Sequence, residues 1–109
     1  MDESEFVTLA DQALADIENA LEACGADIDI ELQPGGVIEL CFEDDSKVII
    51  NRHVAAQEIW IAARSGGFHF RPAEGGQWVN TREAGDLYAM LSRVVSEQSG
   101  APVTVSPPA

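Results

Sequence analysis

The stretch Asp27-Ile28-Asp29-Ile30-Glu31-Leu32-Gln33 alternates polar and aliphatic residues at every step. Successive side chains of a β-strand leave on opposite faces, so this period sets Ile28, Ile30 and Leu32 on one side and Asp27, Asp29 and Glu31 on the other. Pro34-Gly35-Gly36 is a turn. The same period resumes over Val37–Glu43, with Ile38, Leu40 and Phe42 on one face and Glu39 and Glu43 on the other. Asp44-Asp45-Ser46 turns the chain into a third strand, Lys47–Arg52. After a looser segment, His53–Gln57, a fourth strand over Glu58–Arg64 points Ile59, Ile61 and Ala63 inward. Ser65-Gly66-Gly67 is a hairpin turn, and Phe68–Arg71 a fifth strand with Phe68 and Phe70 inward and His69 and Arg71 outward. Glu74-Gly75-Gly76 turns again, and Gln77–Asn80 is a short sixth strand.

Outward from these strands the period changes to that of a helix. Upstream, Phe6, Leu9, Ala10, Ala13, Leu14, Ile17, Leu21 and Cys24 fall on one face of a helix over residues 4–24. Asp2, Glu3, Ser4 and Glu5 suit its N-terminus, where free N–H groups and the helix dipole favour oxygen and negative charge, and Gly25 suits the residue past its end. Downstream, Leu87, Leu91, Val94 and Val95 predict a helix from about Glu83 to Gln98, with Met90 flanking its apolar stripe, Thr81 as a cap and Gly100 as the stop. Strands with one apolar face form an antiparallel sheet covered on one side, and two amphipathic helices suffice to cover it. The expected fold is therefore α+β: a two-layer sandwich with N- and C-terminal helices on one face of an antiparallel sheet of five to six strands. Residues 1–100 form a single domain in this reading, and residues 101–109 a loosely held, Pro-rich tail.

A chain of 109 residues with 46% hydrophobic content can bury a core without disulfides or metal. Nothing reads as a membrane span, and the acidic start MDESEF lacks the basic, then apolar, pattern of a signal peptide, so a cytoplasmic location is expected. Cys24 and Cys41 form no CxxC and lie in different elements; they are expected to be packing residues with reduced thiols, Cys41 partly exposed.

Charge is the strongest functional signal. The net charge is −13, and residues 1–45 hold fourteen Asp and Glu and no Lys or Arg, whereas residues 46–109 hold five acids and six bases. Such a field repels phosphate, which argues against nucleic acid and anionic membranes and favours cations and basic protein patches. On the first helix Asp11, Glu18 and Glu22 share a stripe beside the apolar face. Glu18 and Glu22 are like charges at i,i+4, a spacing that costs an isolated helix a few tenths of a kcal/mol. The open sheet face carries a second anomaly. The inward set of the fourth strand leaves Trp60 outward, either as a binding residue or packed on a surface neighbour such as Ile49 or Arg64. Asn51 points out on the preceding strand. No nucleophile–base pair or nucleotide fingerprint occurs, and the paired glycines fall in hairpin turns where they cannot cradle phosphate.

Four stretches carry a resemblance: SEFVTLADQAL (residues 4–14), SKVIINR (46–52), EIWIAARSGGFHF (58–70) and EQSG (97–100). In order and spacing they resemble the bacterial frataxins, the CyaY family, over about residues 3–100. The resemblance implies the same two-layer fold and a non-enzymatic role: an iron-binding regulator of iron–sulfur cluster assembly that docks on the cysteine desulfurase and its scaffold complex. Carried over residue by residue, it implies iron-binding carboxylates at Glu18, Glu22, Asp27, Asp29 and Glu31, with Asp11 on the same ridge. It implies partner contacts at Asn51, Arg52 and Trp60, together with Glu18 and Glu22. Asn19 and Ala23 thin the ridge relative to bacterial relatives, and His53, Ala55 and Glu58 replace the glutamines and proline common there.

Oxygen-only donors suit hard cations, ferric iron above all, with ferrous iron weaker, and no zinc-like His/Cys spacing occurs. Surface carboxylates without a shaped cage imply weak binding. His53 and His69 read as solvated side chains. The charge predicts a monomer that iron could neutralise into an oligomer. Ferroxidase or iron-storage activity, and an acidic interaction module with no physiological use of iron, are the alternatives.

Overall fold

The computed structural model describes residues 1–108. Helix α1 (Glu3–Ala23) starts where the Asp2 carboxylate accepts a hydrogen bond from the Glu5 N–H at 2.8 Å, and it stops at Cys24 before Gly25 turns left-handed at φ +79°. The strands follow as β1 (Ile28–Gln33), β2 (Val37–Phe42), β3 (Lys47–His53), β4 (Glu58–Ala63), β5 (Gly66–Pro72) and β6 (Trp78–Asn80), and α2 (Leu87–Ser99) comes last. They form one six-stranded sheet in the order of the chain, each strand antiparallel to the next. Short hairpins explain this order, because a tight turn can join only antiparallel neighbours.

Both helices lie on the same face. Phe6, Ala10, Leu14, Ile17 and Leu21 of α1 and Leu87, Leu91, Val94 and Val95 of α2 are buried with Ile38, Leu40, Val48, Ile50, Ile59, Ile61 and Phe70 of the sheet. Trp78 closes one end of this core in an edge-to-face contact with Phe6, ring centroids 6.1 Å apart. The expected α+β sandwich is thus the observed fold, with six strands.

Three local expectations are corrected. First, α2 begins at Leu87, capped by Asp86, whose carboxylate accepts from the Ala89 N–H at 2.9 Å; neither Glu83 nor Thr81 starts it. Asn80 Oδ1 accepts the N–H groups of both Arg82 and Glu83, which folds the chain into a side-chain-closed turn, and Gly85 sits at φ +120°, outside any right-handed helix. Met90, expected at the margin of the stripe, is buried. Second, the tail is not loose up to Val105. Ser92 Oγ accepts from the Val105 N–H and donates to the Tyr88 carbonyl within the helix, Ser96 Oγ accepts from the Val103 N–H and donates to the Val103 carbonyl, and Val105 is buried. Two serines a helical turn apart on α2 thus hold an extended segment in place of a sheet neighbour. Third, Leu32 does not join Ile28 and Ile30 against the core. Those two are half-buried, but Leu32 is 60% exposed because a groove separates the end of β1 from α1.

Gln98 fastens α2 to the sheet. It is 7% exposed, its Oε1 accepts the Arg64 N–H at 3.0 Å, and its Nε2 donates to Ser46 Oγ and the Lys47 carbonyl. One amide side chain therefore satisfies backbone groups at the start of β3 and just past the end of β4.

Candidate functional site

Ten of the fourteen acids of the first half lie on α1, on β1 or immediately beside them. Strand β1 pairs only with β2, so its other side is the free edge of the sheet, and charge is a common protection of such an edge against strand addition. Glu18 is half-buried on α1, and Glu22, Asp27, Asp29 and Glu31 are exposed. No basic side chain pairs with any of these five among the described residues. They do not share one centre: the parity of β1 turns Asp29 and Glu31 toward the open face, away from the side that α1 covers. Among the described residues no group of three or more His, Cys, Asp or Glu converges on a point that could hold one ion.

Asp11 differs from the rest of the ridge. It forms an ion pair with Arg52 Nη1. Arg52 does not share the face of Asn51 expected for a common partner contact: adjacent strand residues point to opposite faces, and Arg52 reaches the helix side. To do so its stem passes over Gly36: a Cβ there would sit 2.7 Å from Arg52 Cγ, Cδ and Nε. Gly36 also has φ +78°, and its carbonyl accepts the Arg52 N–H at 3.0 Å. Glycine is needed at this position on both counts.

On the open face, β1 to β3 carry a polar row that emerges only from the strand register. Glu31 stands directly opposite Glu39, and Asp29 opposite Cys41. Lys47 Nζ lies 2.7 Å from Glu39 Oε1, and Gln33 Nε2 donates to both Glu39 and Glu31. The Lys47 ammonium holds the Glu39 carboxyl below its usual range. Partial burial, with Glu39 as the nearest negative charge, pushes the Cys41 thiol up and away from a reactive thiolate. Cys41 and Cys24 are free, and Cys24 Sγ donates to the Leu21 carbonyl at the end of α1.

Farther across the same face Trp60 is half-buried, and two aromatic side chains flank it. Its indole lies between two imidazoles, with His53 at 3.8 Å and His69 at 4.3 Å between centroids and both rings tilted by 11°. Trp60 Nε1 donates to Glu58 Oε1 at 2.7 Å, and the same oxygen lies 3.7 Å from His69 Nδ1. Asn51 is the cross-strand partner of Trp60 on β3, and His69 is its partner on β5. His53 and His69 are thus parts of an aromatic stack and not simply solvated side chains. The available signal was register: once β3, β4 and β5 are aligned, Asn51, Trp60 and His69 form a single row, and His53 stands opposite Glu58.

The sequence model of the frataxin-like domain matches residues 1–101. The chain is 58% identical over 100 residues to the iron-sulfur cluster assembly protein CyaY of Dechloromonas aromatica, covering 92% of this chain and 94% of the relative. Its fold is similar to that of a frataxin from Psychromonas ingrahamii, with a TM-score of 0.84 and 35% identity over 97% of this chain and 99% of that one. It is also similar to a trimeric frataxin from the yeast Saccharomyces cerevisiae in a ferrous complex, with a TM-score of 0.60 and 26% identity over 92% and 88% of the two chains.

Proposed function

The chain belongs to the frataxin-like family, among the CyaY iron–sulfur cluster assembly proteins, and from that premise we propose that it is an adaptor that binds iron weakly at its acidic edge, docks on the cysteine desulfurase through the same edge, and modulates cluster synthesis according to iron. The observation that carries this reading is the set of five carboxylates, Glu18, Glu22, Asp27, Asp29 and Glu31, left without a basic partner. Charge on the free edge of β1 also guards against strand addition, but Glu18 and Glu22 lie on the helix, where that protection has no use and where a cation or a basic surface gives the charge a role. The donors are all oxygen, which fits ferrous and ferric iron as cargo, and a yeast relative is found in a ferrous complex. Asp11, already paired with Arg52, takes a lesser part.

Without a convergent cage, each ion meets one or two protein carboxylates and completes its shell with water or with groups of the partner. Iron held this way is readily handed on, and its charge weakens the attraction between the ridge and a basic patch. That competition supplies the link between iron level and docking. Neutralisation also lowers self-repulsion, the route by which iron would permit oligomers. Trp60 and Asn51 form a second, smaller contact on the open face. The protein acts in this reading in the cytoplasm and without catalytic turnover of its own; stoichiometric rather than catalytic consumption of Fe(II) in oxygen would agree.

The test is calorimetric titration into the cysteine desulfurase of the same organism at low and high salt, with and without Fe(II). Binding that weakens with salt, changes with Fe(II) and is lost when Glu18, Glu22, Asp27 and Asp29 become amides supports the adaptor. Absence of binding at low salt sinks it.

A further inference from the structure

Among the described residues the large apolar side chains left exposed are Met1, Leu9 at 36% and Leu32 at 60%. Met1 is terminal. The two leucines line adjoining hollows that share Asp11 and Ala15. Scattered surface leucines are ordinary, but apolar side chains gathered at a concave site mark recognition surfaces. The better formed hollow is the groove between α1 and the β1–β2 hairpin, about 240 Å³ in volume. Buried Leu14 and Ile38 form its floor, and Ala15, Val37 and Leu32 line it higher up. Asp11 and Glu18 stand at its margin.

The size is instructive. Pockets for small organic ligands run to about 300–1,000 Å³ and enclose their occupant. This groove is smaller and open, which suits one side chain of a docked segment. The charge identifies that segment. Arg52 crosses Gly36 and offsets Asp11 at one margin, which leaves Glu18 as the acid without a basic partner, and the groove is lined from the half of the chain that holds fourteen acids and no bases. Nucleic acid and anionic lipid are repelled, and a second copy would bring the same negative margin against itself.

We propose that this groove takes one aliphatic or aromatic side chain from a protein segment that carries lysine or arginine beside it, to meet Glu18. The inference rests on the reading of the acidic edge as a docking ridge and adds what that reading lacks, an apolar anchor. Charge alone gives fast, salt-sensitive association with little discrimination among basic surfaces, whereas a buried apolar anchor selects one segment and slows its release.

The test uses two synthetic peptides, identical runs of lysine and arginine interrupted at the centre by leucine in one and serine in the other. Each is titrated into the intact protein and into Leu32→Ser by calorimetry, with methyl spectra recorded alongside. The expected result is about tenfold tighter binding of the leucine peptide by the unaltered protein, with shifts at Leu14, Leu32 and Val37. In Leu32→Ser that preference disappears, while the serine peptide binds as before and the unfolding midpoint stays put, because the side chain is exposed. Should Leu32→Ser prove unstable, Leu32→Ala carries the same comparison. Equal binding of both peptides by the unaltered protein overturns the groove and leaves the charged ridge standing. Failure of both peptides to bind removes the ridge and the groove together. A preference that survives in Leu32→Ser locates the anchor elsewhere and overturns the proposal. So does concentration-dependent self-association that the substitution abolishes, since the occupant is then a second copy.

Discussion

The two helices cover the same face of one sheet, yet their polar residues serve different ends. On α2, Ser92 and Ser96 each accept a backbone N–H of the tail, Ser96 also donates to a tail carbonyl, and Gln98 closes three hydrogen bonds to the ends of β3 and β4. On α1, Glu18 and Glu22 pair with no basic side chain among the described residues, and their nearest companions in sequence, Asp27, Asp29 and Glu31, are equally unpaired. Both helices bury an apolar stripe against the sheet, α1 leaving only Leu9 of its large apolar side chains exposed, so the contrast does not come from packing. Polar groups that meet the fold's own backbone stabilise it. Those that meet only water remain available to something outside it.

The contrast can be broken most forcefully at Gln98. Gln98→Ala leaves the Arg64 N–H and the Lys47 carbonyl without their partner and should cost about 2–3 kcal/mol in urea unfolding. An unchanged midpoint would mean that water replaces the amide. Next comes Ser96→Ala, expected to cost about 1 kcal/mol and to raise amide exchange at Val103 well above that at α2 itself. If exchange at Val103 does not change, Ser92 and Val105 alone hold the tail.

A smaller, pH-dependent effect belongs to Asp44, in the turn between β2 and β3. Hydrogen bonds from the Ser46 hydroxyl and backbone N–H, followed by Arg64, lower its pKa from the usual 3.8 to about 2. A carboxylate depressed in the folded state adds stability above the unfolded pKa, and that stability is lost as pH falls through the folded one. The stability difference between the native chain and Asp44→Asn should therefore be constant above about pH 5 and shrink progressively between about pH 4 and 2. A difference that persists at pH 2 would assign the effect to hydrogen bonding of the neutral acid. The smallest change in stability, and of opposite sign, is expected on α1. Glu18→Gln with Glu22→Gln removes an i,i+4 repulsion and should stabilise by a few tenths of a kcal/mol while weakening Fe(II) binding measured by competition with Mg. Destabilisation would show that these acids serve the fold after all.

Periodicity carried the architecture. The alternation in 27–33 and its repeats set the strands, and two amphipathic stripes set the helices, because both signals are local. Legibility failed where a side chain acts over distance. The Asn80 turn and the Asp86 cap lie within a few residues of each other, but they compete with a helical pattern that could as well have begun earlier. Nothing local reveals that Ser92 and Ser96 bind a tail, since each hydroxyl would be equally at home in water. The acids of the ridge were readable as charge, yet Asp11 was not distinguishable from Glu18. Its ion pair with Arg52 is fixed by tertiary placement and by the space that Gly36 leaves open. Strand parity alone would have removed Arg52 from the face of Asn51. The imidazole stack required the register of three strands at once.

That stack gives the molecule two separate optical gauges. Trp78 is enclosed against Phe6 at the end of the core, and Trp60 lies half-exposed between two imidazoles on the far side of the sheet. The enclosed indole should emit toward the blue and the half-exposed one toward the red. The red component should answer to whatever lands on the open face, and the blue one only to loss of the fold. Docking and unfolding can thus be read as different colours from a single unlabelled sample.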